Sequence, residues 1–361
     1  MYVCAACGRT YPERTDRYRC DCGGPFEFAD PPVPGSTEPP ELDRDRGLWT
    51  FDGLLPVERR VTLGEGWTPL VEAADRAATY KLEYLFPTGS FKDRGAATTL
   101  SHALSLGVER VVEDSSGNAG AAIATYAARA GLDAEIFVPA DAKPGKLRAI
   151  ERTGATVRRV EGSRADVTEA CVDAIETDGV AGGWYASHAW NPAFFEGTAT
   201  FAYEVAAQRD WTAPDAVVTP LGHGTLFLGA YWGFERLREA GWIDSVPRLY
   251  GVQAAGVAPI VAARHGDGAA AGENALADGI QITEPVRREA ILEAIEESGG
   301  DALAVDAQAT EAEYDRLHRN GFYTEPTCAV APAALDDLRA DGRIEADEDV
   351  VVALTGSGLK S

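Results

Sequence analysis

The residue with the most chemistry open to it is a lysine, in the run Pro87-Thr88-Gly89-Ser90-Phe91-Lys92-Asp93-Arg94-Gly95. Only five of the 33 basic residues are lysines, so lysine is not the default cation of this chain. An amine that can shed its proton forms a Schiff base with a carbonyl, and a guanidinium cannot. Tyr80 to Leu85 alternates like a strand, and Pro87 and Gly89 break it. Ser90 is then placed to cap an apolar-periodic helix that ends near Gly107. A helix start adds positive potential, which favours a deprotonated amine and an anionic cofactor nearby. A solvated lysine in a first helical turn fits the local run equally well, so the rest of the chain has to decide.

Three further segments share one character. Ser115-Ser116-Gly117-Asn118-Ala119-Gly120 follows an expected strand, Arg110 to Glu113, and opens an alanine-rich helix, Ala119 to Ala130. Leu221-Gly222-His223-Gly224-Thr225 follows the strand Ala216 to Thr219 and opens a helix running through Trp232 and Leu237. Thr355-Gly356-Ser357-Gly358 follows the strongly apolar strand Val350 to Leu354. Open α/β sheets bind ligands at the carboxyl ends of their strands, where small residues let backbone N–H groups approach an anion. One such loop is ordinary turn chemistry. Three of them, with the lysine run and in this order, make a specific pattern.

SFKDRG, SSGNAG, the GHGT loop and a closing LTGSGLK together resemble the threonine synthase family of pyridoxal 5'-phosphate (PLP) enzymes. The wider fold type II group also holds threonine dehydratase, cysteine synthase and the tryptophan synthase β-subunit. The similarity runs from about Leu63, in LGEGWTPL, to the last residue. It implies that Lys92 holds the cofactor as a Schiff base and later moves protons, and that Asn118 bonds the ring hydroxyl. It places Gly222, His223, Gly224 and Thr225 at the cofactor phosphate, and Ser115, Ser116, Gly117 and Ala119 at the substrate α-carboxylate. Thr355 would face the pyridine nitrogen. A hydroxyl there, unlike an aspartate, leaves the nitrogen unprotonated, which suits elimination and replacement more than transamination.

The implied activity is that of a lyase turning O-phosphohomoserine and water into threonine and phosphate, with an amino acid as its small-molecule substrate. In threonine synthases a segment resembling NPxRxEGQKT binds the substrate's own phosphate. Residues Asn191 to Thr200 here read NPAFFEGTAT, with Phe194 for the arginine and Ala199 for the lysine. Charge-assisted phosphate contacts contribute about 1.5–3 kcal/mol each, so two routes stay open. Other residues, with Arg148, Arg152 and His188 as candidates, take over; or the reaction is a dehydratase-like β-elimination or β-replacement on threonine or serine. If Phe194 and Ala199 line the substrate's distal pocket, restoring both cations would favour phosphohomoserine. The other loops also depart, GHGTL against GNAGN and SSGNAG against STGNT, and Asp278-Gly279-Ile280 is similar to the dehydratase branch. A non-catalytic protein that binds PLP or an amino acid is a third possibility, against which the intact Lys92, Asn118 and Thr355 speak.

Four of the six cysteines fall at Cys4-x-x-Cys7 and Cys20-x-Cys22. Two close pairs separated by a loop of this length have zinc-ribbon spacing, with Gly8 and Gly23 relaxing the turns. The start MYVCAACG lacks the basic region and apolar core of a signal peptide. A reducing, cytoplasmic setting follows, in which a structural zinc ion is favoured over disulfides. Cys171 and Cys328 read as small buried hydrophobes, and the histidines at 188, 265 and 318 have no partner at ligand spacing.

A net charge of −24 and a pI near 4.6 argue against nucleic acid as a partner. No apolar stretch is long enough to span a membrane. The acid excess with few lysines resembles proteins of high-salt cytoplasm, where screening weakens self-repulsion; an ordinary acidic protein is the plainer reading. The 361 residues divide into a zinc-ribbon-like module (1–29), a proline-rich linker (Pro31 to Pro40), and an α/β chain with parallel sheets. By resemblance, 92–165 form a small mobile domain, 30–91 and 166–361 the large PLP domain, and the cofactor lies in the cleft between them. A homodimer is the family habit. Framework helices are expected near Lys143–Arg152, Ala165–Ile175, Phe194–Gln208 and Arg287–Glu297.

Overall fold

Val350–Ala353, the most apolar of the expected strands, is buried at every position, as a strand with parallel neighbours and two covered faces must be. In the computed structural model, which describes residues 1–15, 17–142, 144–178 and 183–360, it lies inside a six-stranded sheet. The order is Asp301–Val305, Arg248–Ala254, Ala216–Pro220, Val350–Ala353, Ala78–Lys81, Leu70–Ala73. Every neighbouring pair is parallel except the last, where Leu70 stands antiparallel to Lys81. The chain steps outward from Ala216–Pro220 through two strands, then returns to place Val350–Ala353 on the opposite side of the first. That reversal is a topological switch point, and the loops leaving it begin at Leu221 and Leu354.

A second sheet has four parallel strands in the order Thr156–Val160, Asp133–Pro139, Arg110–Glu113, Trp184–Tyr185. The same reversal occurs between its last two strands, so the segments beginning at Asp114 and Ala186 leave from its switch point. A third sheet is small and antiparallel, with Tyr2–Cys4 between Thr10–Tyr11 and Phe26–Phe28.

The chain gathers into two units. One holds Met1–Val33, Leu42–Gly66 and Lys92–Thr198; the other holds Pro34–Glu41, Trp67–Phe91 and the chain from Ala199 on. These bounds differ from the expected ones. The cysteine-bearing sheet belongs to the first unit rather than standing apart. The segment 166–198 joins that unit because Trp184–Tyr185 pairs with Arg110–Glu113, and Val167, Cys171 and Ile175 pack with Val112, Phe137 and Tyr185. The proline-rich segment is not a bare linker, since the Ser36 carbonyl accepts a hydrogen bond from Trp242 Nε1 at 2.8 Å.

The framework helices fall at Pro144–Glu151, Arg164–Asp178, Pro192–Gln208 and Arg288–Ser298. Lys143, where the first of them was expected to begin, lies outside the described residues. The strand expected at Tyr80 to Leu85 is Ala78–Lys81. The amides of Glu83 and Leu85 turn back onto the carbonyls of Lys81 and Leu82 and end it early. No helix among the described residues is long and apolar enough to cross a membrane.

Candidate active site

In the first unit, Lys92 is the first residue of the Lys92–Leu106 helix, which Gly107 closes in a left-handed turn with φ 75°. Ser90 does not cap it. Its hydroxyl is buried without a hydrogen-bond partner among the described residues, and Ser90 instead forms an antiparallel bridge with Gly356 in the second unit. The helix is held by close packing. A Cβ on Gly95 would stand 2.2 Å from the Phe194 ring, and one on Gly197 would stand 2.2 Å from the Arg94 carbonyl. Thr98 Oγ1 donates to the Ala193 carbonyl at 2.7 Å. Phe194 is fully buried, with its ring centre 5.7 Å from Lys92 Nζ. Among the other lysines, Lys81 is fully buried and occupied by Glu204, Gln208 and the Thr68 carbonyl at 2.6–2.9 Å, so it is no candidate for a carbonyl partner.

The loop after Arg110–Glu113 delivers Ser115, Ser116 and Gly117, and a helix begins at Asn118. Its two glycines differ in kind. A Cβ on Gly120 would lie 1.8 Å from the Ser115 carbonyl oxygen, so the protein itself demands glycine there. A Cβ on Gly117 would meet only Ser115 Oγ, at 3.7 Å. Gly117 also caps the Asn118–Ala130 helix without a side-chain hydrogen bond, so a bare backbone faces open space at a helix start, as a carboxylate-binding loop requires.

Beneath this loop lies a pair that spacing alone did not reveal. Glu113 Oε1 and His188 Nδ1 are 2.7 Å apart, and both residues are buried. Burial pushes the Glu113 carboxyl well above the carboxylate range and Asp114 adds to it, while the charge of Lys92 pulls the other way. A fully buried acid ending the strand Arg110–Glu113, directly before the loop, marks the pair. His188 is therefore engaged rather than an open cation, and Arg148 and Arg152 are exposed on and just after the Pro144–Glu151 helix. Phe194 and Ala199 are core residues at 0% and 1% exposure. The expectation that these two positions line a distal pocket is corrected accordingly.

In the second unit, Gly222, His223 and Gly224 lead into the Thr225–Glu239 helix. Gly224 has φ 78°, and a Cβ there would stand 2.6 Å from Ile291, so no other residue fits comfortably. Gly222 backs onto Ile280, the last residue of the Asp278-Gly279-Ile280 turn, with a Cβ position 3.2 Å from its Cα. The helix start supplies N–H donors suited to a phosphate. Thr355 lies on the neighbouring loop of the same switch point and is buried. Its carbonyl accepts from the Phe91 amide at 3.1 Å. Cys328, read from the sequence as a plain hydrophobe, touches this loop through its sulfur: Sγ is 3.5 Å from Thr355 Oγ1 and 3.0 Å from the Gly356 nitrogen.

The sulfurs of Cys4, Cys7, Cys20 and Cys22 all lie within 4.8 Å of one another. The pairs Cys4–Cys22 and Cys7–Cys20 stand at 3.5 and 3.6 Å. A tetrahedron with metal–sulfur bonds of about 2.3 Å has edges of about 3.8 Å, so the cluster could close on one ion. Both knuckles turn on glycines with positive φ, Gly8 at 71° and Gly23 at 87°, whose amides bond the carbonyls of Cys4 and Cys20 at 2.9 Å. Gly24 leaves room for the thiols, since a Cβ there would sit 2.8 Å from Cys4 Sγ.

Parallel sheets with small-residue loops at their switch points, and a lysine opening a helix, define an α/β protein whose loops suit an anionic ligand and whose lysine suits a carbonyl. The chain belongs to the pyridoxal-phosphate-dependent enzyme family, whose model matches residues 61–356. It is 33% identical to the threonine synthase of Methanocaldococcus jannaschii over 99% of this chain and 92% of that one. With the threonine synthase of Methanosarcina acetivorans it shares 34%, over 99% and 91%. The fold matches a threonine deaminase from Solanum lycopersicum with a TM-score of 0.65 at 21% identity, covering 80% of this chain and 79% of that one. It matches maize serine racemase at 0.68 and 19%, covering 81% and 88%. The chain is thus a PLP-dependent lyase.

Proposed function

We propose that this lyase is a threonine synthase, converting O-phosphohomoserine and water into threonine and phosphate. The observation that carries the assignment of roles is the switch point of the six-stranded sheet. There the Gly222–Thr225 loop, a helix start without side-chain bulk, and the buried hydroxyl of Thr355 leave adjacent parallel strands. These residues suit a phosphate and a ring nitrogen, and Lys92 suits an aldehyde carbon. Threonine synthases as similar as 33–34% along nearly the whole chain support the substrate.

When bound, PLP would supply an electron-withdrawing ring that stabilises negative charge on the substrate α-carbon. Lys92 would hold the cofactor and, once displaced by the substrate amine, take the α-proton on Nζ. Asn118 would bond the ring hydroxyl and Thr355 the ring nitrogen. Gly222, His223, Gly224 and Thr225 would hold the phosphate, and Ser115, Ser116, Gly117 and Ala119 would orient the α-carboxylate. Cys4, Cys7, Cys20 and Cys22 would hold one structural zinc ion. A homodimer and a salt-rich cytoplasmic setting complete the proposal, on resemblance and on the acid excess.

A second reading, β-elimination from threonine or serine, is favoured by Phe194 and Ala199, buried apolar residues at the two positions where the resemblance implies phosphate-binding cations. One panel separates the two. Phosphate release from O-phosphohomoserine with formation of threonine supports the first. Formation of 2-oxobutyrate from threonine or pyruvate from serine, with phosphohomoserine untouched, replaces it with the second.

A further inference from the structure

We propose that Cys328 is a positioning residue for Thr355, holding its loop in place while leaving the Thr355 hydroxyl proton free for the cofactor. The inference rests on the reading of Thr355 as the partner of the cofactor ring nitrogen. It concerns a residue that neither the motifs nor the loops bring into that site.

The geometry is specific. Cys328 is fully buried in the turn Pro326–Ala329, ahead of the Val330–Ala340 helix. Its sulfur accepts from the Gly356 amide at 3.0 Å, donates to the Gly356 carbonyl at 3.2 Å, and lies 3.5 Å from Thr355 Oγ1. The backbone around it holds the same loop. The Glu325 amide donates to the Gly356 carbonyl at 2.9 Å, the Cys328 amide to the Glu325 carbonyl at 3.0 Å, and Thr324 bridges Ser357. A Cβ on Gly356 would stand 2.3 Å from the Glu325 carboxyl, so the loop cannot shift toward that segment.

The choice of sulfur matters. Burial, with the charge of Glu325 adding to it, pushes the thiol up to about 12, against the opposing pull of its bonds to Thr355 and Gly356. The thiol therefore keeps its one proton at neutral pH, and the Gly356 carbonyl is its nearest acceptor. Sulfur is a weak acceptor, so it contacts Thr355 Oγ1 without capturing the hydroxyl proton. That proton stays available to an unprotonated ring nitrogen. A serine at the same place has a shorter bond and a stronger acceptor, and it would compete for that proton.

The experiment uses the PLP-loaded protein and its Cys328→Ser, Cys328→Ala and Thr355→Val variants. Three quantities are read: PLP affinity by titration, the visible absorption band of the bound cofactor with its pH dependence, and the melting temperature. Cys328→Ser is expected to weaken PLP binding about fivefold to tenfold and to move the pH midpoint of the band, as Thr355→Val does more strongly. If Thr355→Val changes band and affinity while both Cys328 variants match the wild type, the inference is overturned and the cofactor reading stands. A change in melting temperature alone in the Cys328 variants overturns it too, because that marks plain packing. If Thr355→Val itself leaves band and affinity unchanged, the cofactor reading of Thr355 fails and takes the inference with it. Should Cys328→Ala not fold, the near-isosteric serine variant carries the test.

Discussion

Phe194 fills the space that any side chain at position 95 would need, and its ring lies 5.7 Å from the amine of Lys92. An arginine in its place would bury a charge in a packed helix contact and lose the aromatic packing. Phe194→Arg is therefore expected to destabilise the fold by about 3–5 kcal/mol, measured by chemical denaturation, and not to create a phosphate site. A variant as stable as the parent that also gains turnover of phosphohomoserine would restore the pocket this packing denies. The contrast shows which residues announce themselves. Lys92, Asn118, Gly222 and Thr355 stand out because small residues cluster around them at strand ends and helix starts, which leaves a local pattern. The seat of Phe194 depends on Gly95, and the contact of Cys328 depends on Thr355, both far off in the chain. No periodicity connects such pairs, so only the folded chain reveals them.

At the scale of elements, the cysteine-bearing sheet is the one least able to stand alone, with strands of only two or three residues. Within its own unit it leans on the helix that begins at Lys92. Tyr2 stacks on Phe26 at 5.5 Å, Phe28 meets His102 at 5.4 Å, and His102 meets Trp184 at 6.2 Å between ring centres. If the four thiolates hold zinc, chelation should unravel this sheet and change tryptophan emission. Metal-free protein with an unaltered spectrum and melting temperature would show that the ion contributes nothing to the fold. The same contact carries a pH dependence. Burial presses His102 down to about 4, opposed by Glu13 and reinforced by the chain's amino group, and the ring nitrogen Nε2 is hydrogen-bonded with the Tyr2 hydroxyl at 2.6 Å. Unfolded, the histidine titrates near 6.5 and binds a proton that the folded form refuses. Stability is then full above about pH 6.5 and falls as pH drops toward 4, by about 3 kcal/mol in all. His102→Gln should flatten that part of the denaturation-versus-pH curve; an unchanged slope would place the acid sensitivity elsewhere.

For the molecule as a whole, the dominant number is the net charge of −24. Exposed carboxylates repel over about 10 Å at 0.1 M salt and over only about 3 Å at 1 M. The melting temperature should therefore rise steadily with potassium chloride through this range, since the repulsion is relieved only by screening. A flat response would count against the high-salt setting and leave the acid excess as a matter of solubility. The alternation of strands and helices was readable from hydrophobic runs and turn residues. The antiparallel edge strand Leu70–Ala73 and the packing of the proline-rich segment were not, because each depends on a surface supplied by chain far away.

The place of Val350–Ala353 has one more consequence, in the order of events as the chain emerges from the ribosome. All four strands of the smaller parallel sheet are made between Arg110 and Tyr185, so that sheet can form early from neighbours in sequence. The six-stranded sheet cannot. Its interior strand, flanked by Ala78–Lys81 on one side and Ala216–Pro220 on the other, is the last to be synthesised. Until it arrives, the strands it will join wait as two half-sheets, each with an edge of unpaired backbone N–H and C=O groups facing water. Such edges invite pairing with the wrong chain. Slow, aggregation-sensitive completion of this one sheet, after rapid closure of the other, is what so central a place for so late a segment entails.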